Sequence, residues 1–397
     1  MADTVFPLGY IPATTVLSED LLSQAIHTSI LSRFMGDGDD AALRVMPDLT
    51  RRAGDTIDYM LRLKIIGPGV LGFDQLEGNE VTMNFVSDGF QINDIAQAVD
   101  VKGQMTLQRV PWSMRKEAKA LLQQWMTERI NVTVANQLAG NSNGAGLGVT
   151  GVNAGDIRYL GLNATQQPSS STSGIRQIFP TGITAETGLT SAGTNGANQL
   201  QLYLINQAVT KAKTAVIPIR PIVVNGEPFY VLTCHPYSIN DLKNLTGEGT
   251  WQHLQLQTMN SGTDYVKDNP LFTGAIGMYH RTIIHEDSSV PFGDTSQISG
   301  ISQLGTCLGA GSGSTAGVSN VAREIFMGAN AGVVAFGRHT TWPSQVKWVE
   351  VAKDYNRKLG VSCELVFGLK KSWFTYTGDA SATDFGTIVI SVWSNVA

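Results

Sequence analysis

His280 and His285 stand five positions apart in YHRTIIHED, with Glu286 and Asp287 directly behind them. Imidazoles beside carboxylates are the residue types of metal ligation and of acid–base catalysis. Side chains alternate between the faces of a strand, however, so an odd separation sends the two rings to opposite sides, and shared coordination would need a bulge. His235 in TCHPYS adjoins Cys234, and neighbouring strand residues diverge in the same way, which favours a core histidine over a Cys–His pair.

FMGDGDDAA opens like a calcium loop with Asp37 and Asp39, but the next ligand position is Ala41 and no glutamate completes twelve residues, so it reads as an acidic turn. LGAGSGSTAG invites a phosphate-loop reading through its glycine amides. It has no GK[ST] lysine, and Gly309, Gly311 and Gly313 follow Gly-x-Gly-x-Gly spacing, which leaves a surface or inter-subunit loop. No GxSxG, HExxH or kinase-type set occurs. The reading is therefore no catalytic residue, no metal site and no cofactor.

DYNRKLGVSCELVFGLKKSWF, residues 354–374, is richer than most stretches, with a cysteine, a carboxylate and a Lys-Lys pair. Val361, Cys363, Leu365 and Phe367 alternate along it, the spacing of one strand face.

The elements that must hold these residues can be read from hydrophobic periodicity. PLGYIPATT is turn-rich, and after Ser18 a helix carries Leu21, Leu22, Ala25, Ile26 and Ile30 on its stripe. TIDYMLRLKII alternates, with Ile57, Tyr59, Leu61, Leu63 and Ile65 on the buried face. Glycine-rich GPGVLGFDQLEGN comes next, and a second strand pattern resumes around Phe90, Gln91, Ile92 and Asn93. A two-stranded excursion of this length is marginal alone in water, so it is expected to lie on another subunit.

Residues 111–138 predict a helix with Met114, Ala118, Leu121, Leu122 and Trp125 as its apolar positions, roughly 40 Å long at about 1.5 Å per residue. A second amphipathic helix uses Leu200, Leu204, Ile205, Ala208, Val209 and Ala212 before Pro218. Short strands and helices then alternate: an Asn-Gly turn in RPIVVNGEPFYVLTCHP, a helix from Ser238, and GMYHRTIIHE as a strand.

The chain has 397 residues, 42 glycines and only 15% charged residues, a profile of turns and strands rather than charged helices. Its net charge of −5 sits wholly in residues 1–50, where seven acids face Arg33 and Arg44. No basic cluster is present to hold phosphates, which argues against a dedicated nucleic-acid binder. Cys234, Cys307 and Cys363 lie far apart without CxxC, so neither zinc nor a disulfide framework is expected, and a reducing cytoplasm suits them. The N-terminus lacks the features of a signal peptide, and no apolar run is long enough to span a membrane.

Three stretches resemble the major capsid protein of tailed bacteriophages, the HK97-like fold, and specifically the N4-like coat proteins of podoviruses. NPLFTGAIGMYHRTIIHED carries Asn269, Pro270, Gly274, Gly277, His285 and Glu286; VAREIFMGANAGVVAFG carries Arg323, Gly328 and Gly337; the 354–374 stretch carries Tyr355, Gly360 and Gly368. The resemblance implies an α+β fold with an N-terminal arm at 1–52, an extended E-loop ribbon at 53–104, and a peripheral domain at 105–218 with spine helix 111–138. An axial domain at 219–345 and C-terminal strands at 346–397 returning to the peripheral domain complete it. Contacts to other subunits would come from the E-loop tip, Gly67, Pro68, Gly69, Val70, Leu71, Gly72 and Phe73, and from Phe6, Leu8, Tyr10 and Ile11 of the arm.

The resemblance further implies a structural protein, not an enzyme, in which the alternating Val361, Cys363, Leu365 and Phe367 are buried strand positions, Cys363 is a small core residue, and Lys370 and Lys371 are solvated or paired with a neighbouring subunit. It would self-assemble into hexamers and pentamers of an icosahedral virion capsid around double-stranded DNA, without sequence-specific contact and without a membrane. Its implied partners are a portal protein, a separate scaffolding protein, since no long charged helix precedes the arm, and decoration or cement proteins. Assembly would take place in the bacterial host cytoplasm. Lys64 and Lys102 lie at no recognisable motif for the lysine–asparagine cross-link of the founding member. Two alternatives stay open: an encapsulin-like nanocompartment shell of the same fold, and a soluble strand-rich enzyme with a pocket joining His280 or His285 to an acid.

Overall fold

The computed structural model describes residues 33–46, 56–62, 65, 67, 69–81, 83, 85–101, 114–140, 163, 168, 176–184, 186–189, 198–215, 217–224, 226–245, 275–293, 320–337, 346–353, 358–375 and 382–395. Among them, β1 (Met35–Gly36), β2 (Leu43–Met46), β3 (Thr56–Arg62), β4 (Phe85–Gln91) and β5 (Asn93–Val101) precede the long helix α1 (Met114–Leu138). After β6 (Gln177–Ile178) and a 3-10 turn at Glu186–Gly188 come α2 (Leu202–Thr214), β7 (Ile222–Val224), β8 (Glu227–Cys234) and α3 (Pro236–Asn244). Then come β9 (Ala275–Tyr279), β10 (Thr282–Glu286), β11 (Phe292–Gly293), β12 (Val321–Met327) and β13 (Gly332–Phe336). The last strands are β14 (Val346–Lys353), β15 (Lys358–Lys371), β16 (Trp373–Thr375), β17 (Ala382–Asp384) and β18 (Thr387–Trp393).

β15 organises the first sheet. Its first half lies between β14 and β5, pairing Cys363 with both Trp348 and Gln97, and its second half pairs with β13 from Phe367 to Lys371. β2 and β1 extend the sheet beyond β13. The second sheet runs β6-β18-β12-β8-β10-β9, with β11 on β12 and β7 on β8. Every residue of β12 is buried, as is all of β18 except Trp393, because this sheet is covered on both faces. Leu232, Phe326, Ile388 and Ile390 meet Leu204, Ile205, Ala208, Val209 and Ala212 of α2, while Val231, Ile325 and Met327 join the cluster built on α1.

That second cluster also takes Val334, Phe336, Val361, Cys363, Leu365 and Phe367 from the first sheet, so α1 contributes to a core shared by both. Its start is amphipathic, burying Ala118, Leu122, Met126 and Ile130, whereas Val132 to Leu138 are buried on every side. Leu121, expected on the stripe, is 56% exposed, and Trp125 is half-buried. Pro111, the expected helix start, lies outside the described residues.

Three local expectations are corrected. The pattern around residues 90–93 is not one strand: it divides at Ile92, with β4 in a ribbon with β3 and β5 in the first sheet. GMYHRTIIHE is not one strand but the hairpin β9–β10, whose two-residue turn places His280 and Arg281 at φ 46° and 59°. Both residues lie in the left-handed region such turns require, and the Asn206 side chain on α2 holds the turn through His280 Nδ1 and the Tyr279 hydroxyl, each at 2.9 Å. The helix expected from Ser238 starts at Pro236, because Pro fits the first helical turn and the His235 ring accepts the Tyr237 N–H as its cap.

Candidate assembly surface

Strict alternation in β3 buries Ile57, Tyr59 and Leu61 and exposes the residues between them. With Phe90 of β4 they pack on Met46, Val333, Ala335, Phe374 and Phe385, so the base of the ribbon belongs to the subunit's own core. Beyond Arg62 and Phe85 that support ends. Ile65, expected on the buried face, is 55% exposed; Leu71 is 82% exposed; and Phe73, Leu76 and Met83 also face outward. The pattern of β3 cannot extend past the body that buries it.

The tip has a defined shape all the same. Gly69, Gly72 and Gly78 take φ of 70°, 66° and 90°, values open to glycine and costly for other residues. The Asp74 N–H donates to the Leu71 carbonyl (3.3 Å), the Asn79 N–H to that of Leu76 (3.1 Å), and the Gly78 N–H to the Glu80 carboxylate (2.9 Å). Asp74, Glu77 and Glu80 are its only charges among the described residues 65–83. Of the predicted tip residues, Gly67, Gly69, Val70, Leu71, Gly72 and Phe73 lie here together, and Pro68 is outside the described residues.

Polar contacts fix the root. The Tyr59 hydroxyl donates to Asp88 (2.9 Å), and Lys370 Nζ reaches both Asp88 and the Gly89 carbonyl. Burial, then the Asp88 charge, pushes the Tyr59 hydroxyl well above its ordinary pKa, so it stays a donor. Asp39 receives Arg44 (2.8 Å) and Arg62. Asn163 is bonded to the Gln91 backbone on both its N–H and its carbonyl. Lys370 and Lys371 are thus neither solvated nor paired outside the chain: Lys371 is wholly buried against Asp384 at 2.9 Å. Two sequence-adjacent lysines point to opposite sides of β15, and each finds an acid of its own subunit there.

Side chains that suggested chemistry are kept apart. His280 is exposed in its turn, while His285 is buried edge-on to Phe34 at 5.1 Å. Glu286 faces solvent, and Asp287 is buried and accepts the Ser289 N–H (2.8 Å). Among the described residues no three His, Cys, Asp or Glu side chains gather as a metal site. His235 stacks on Phe292 at 4.6 Å, and burial drives its pKa down to about 4. Burial and the charge of Glu324 push the Cys234 thiol far up, and burial takes Cys363 to about 11, so neither is a ready thiolate nucleophile. Asp37 and Asp40 are exposed, whereas Asp39 is committed to its arginines.

The remaining signature positions serve packing. Arg323 grips Glu186 through two bonds (2.6 and 2.8 Å) and reaches the Gly140 carbonyl. A Cβ on Gly328 would collide with Ile219 and the Arg220 carbonyl; on Gly337, with Val366 and Ile92; on Gly368, with the Gln91 carbonyl and Ile92. Gly360 is buried in β15 opposite Val351 and Asp100, and Gly277 pairs with Ile284. Asn269, Pro270, Gly274 and Tyr355, the arm residues Phe6, Leu8, Tyr10 and Ile11, the 308–317 loop, Cys307, Lys64 and Lys102 lie outside the described residues. Sequence reading missed Asp88, Asn163, Glu186, Glu324 and Asp384. Each partner stands tens to hundreds of positions away, and no local pattern marks such a pairing.

Two strand-rich sheets sharing the core of one long helix, with a ribbon reaching off the body, make this an α+β protein of the HK97-like capsid fold. Solved structures bear this out: the capsid of Ralstonia phage GP4 (TM-score 0.69, 22% identity, 92% of this chain and 90% of that one) and the Cyanophage Pam1 capsid (TM-score 0.59, 16% identity, 99% and 96%). A family model described as phage capsid protein matches residues 6–396, and the chain belongs to that family. It is also 26% identical, over 95% of its length and 94% of the relative's, to the major capsid protein of Pseudomonas phage KPP25. The family is one of structural capsid proteins rather than enzymes.

Proposed function

We propose that this chain is the major capsid protein of a tailed phage of the N4-like group, and that copies of it build the hexamers and pentamers of an icosahedral head around double-stranded DNA. The observation that carries the reading is the ribbon: its root is part of the subunit core, while its tip holds Leu71, Phe73, Leu76 and Met83 in solvent on a turn-locked frame. Exposed apolar groups in a row need a cover, and a neighbouring copy supplies one at every lattice position. The similarity to the KPP25 major capsid protein supports the same reading.

In this reading the domain boundaries follow the sequence expectation, and the arm residues Phe6, Leu8, Tyr10 and Ile11 make a second contact. Portal, separate scaffolding protein and decoration proteins complete the particle, which is assembled in the host cytoplasm. DNA is enclosed without base-specific contacts.

Electron microscopy of native particles, with light scattering of the purified chain, tests this. DNA-filled icosahedral shells are expected; shells around protein cargo would move the protein to the nanocompartments, and a uniform small oligomer would overturn the shell reading.

A further inference from the structure

Ile92 is the single residue between β4 and β5, the point where the chain leaves the ribbon and enters the first sheet. It sits where Gly337 and Gly368 leave room, since a Cβ on either would run into it. At this junction the backbone of Gln91, the last residue of β4, must find partners on the edge turned away from β3. Both its groups go to one side chain: the Gln91 N–H donates to Asn163 Oδ1 at 2.7 Å, and its carbonyl accepts from Asn163 Nδ2 at 2.8 Å. The asparagine amide therefore takes the place of a paired strand.

The second hydrogen of the same Nδ2 reaches the Leu369 carbonyl on β15 at 3.0 Å, and the Asn163 carbonyl accepts from Gln137 Nε2, near the end of α1, at 2.8 Å. Asn163 is buried, and its bonds to Gln137 and Leu369 are shut off from water, while those to Gln91 lie at the edge of the exposed ribbon. One side chain thus ties the ribbon, the longest strand of the first sheet and the long helix together.

We infer that Asn163 is the positioning residue that sets the direction in which the ribbon leaves the subunit, and so where its tip meets the next copy. The inference rests on the ribbon being the inter-subunit contact. Only an amide satisfies all three backbone groups, because an aspartate keeps the acceptor but loses both donors, leaving the Gln91 and Leu369 carbonyls facing a charge. Nearby fixings, Lys370 on Asp88 and Arg62 on Asp39, act on β4 and β3 but not on the junction itself.

Hydrogen exchange on the full-length chain before assembly, followed by microscopy of the shells it forms, tests this for Asn163→Asp and for the milder Asn163→Ser. Exchange in a peptide covering residues 85–93 is expected to rise about tenfold, with a peptide covering residues 321–336 unchanged, because one local opening is eased rather than global unfolding. Shells are expected to be absent or irregular. Unchanged exchange, or an equal rise in both peptides, would overturn the inference, as would faster root exchange with normal shells. Leu71→Ser with Phe73→Ser, made alongside, separates the two readings: normal shells from that variant would remove the ribbon contact itself, while the exchange data still decide whether Asn163 holds the root.

Discussion

Lys371 and Asp384 face each other at 2.9 Å with neither side chain reached by water. Arg176 donates to the backbone carbonyl of the same aspartate at 2.9 Å, so β15, β17 and the segment before β6 meet at one buried charge cluster. Burial lowers the Lys371 pKa, against the pull of Asp384, and raises that of Asp384, against Lys371. Removing Asp384 leaves Lys371 without its counter-charge, and removing Lys371 leaves Asp384 to the more distant Arg176 alone. Lys371→Met or Asp384→Asn alone is expected to destabilise the unassembled chain by about 3–5 kcal/mol in denaturant titration, and the double replacement by less than the sum. Additive losses would count against a coupled pair.

Glu324 predicts the pH response. Fully buried on β12, it is pushed up from 4.5 to about 8 by burial, although Ser238, the His235 N–H and Cys234 bond to it. A carboxyl that binds its proton more tightly when folded gives its full stabilisation below pH 4.5 and loses it as pH rises towards 8. Asp241, Asp287 and Asp384 are raised and share this sign. His235, lowered to about 4, has the opposite one: its contribution is present above pH 6.5 and fades as pH falls to 4. The melting temperature of Glu324→Gln should therefore fall less steeply than that of the parent between pH 5 and 8; identical slopes would show that folding leaves the proton affinity of Glu324 unchanged.

Leu71 and Phe73 should matter to the assembly and not to the subunit. Replacing both by serine is expected to leave subunit stability within about 0.5 kcal/mol, because none of the described residues covers them, while shell yield collapses. A drop in the subunit's melting temperature would mean the tip folds back on its own body.

The acidic turn divides into two roles. Asp37 and Asp40 are exposed, so Asp37→Lys with Asp40→Lys is expected to keep the fold and slow genome packaging if this face lies inward, read as the ratio of filled to empty heads. Asp39→Lys confronts Arg44 and Arg62 with a third cation and is expected to lower the unfolding midpoint. Equal effects from both variants would dissolve the distinction.

Gly368→Ala probes the junction from the other side. Its Cβ would stand 2.7 Å from the Gln91 carbonyl, so the ribbon must shift, and assembly should fail at lower temperature than in the parent. Unaltered assembly would mean the junction yields freely.

Periodicity made much of this legible. The alternation of β3, the α2 stripe from Leu204 to Ala212 and the first half of the long helix all appear in the chain as patterns of period two or 3.6, because burying one face imposes them locally. The glycines at 328, 337 and 368 stood out only through a family resemblance; Ile219, Val366, Gln91 and Ile92 supply the steric reason.

What the sequence by itself determined was which faces are apolar and where the glycine-rich turns fall. Only the tertiary structure decided that Lys370 and Lys371 turn inward, that the second ribbon strand breaks at Ile92, and that Asp88, Asn163, Glu186 and Asp384 are the partners that matter. The physical reason is distance along the chain. Arg323 meets Glu186 across 137 positions and Lys370 meets Asp88 across 282, and a charge or amide carries no local mark of the partner that folding will bring to it.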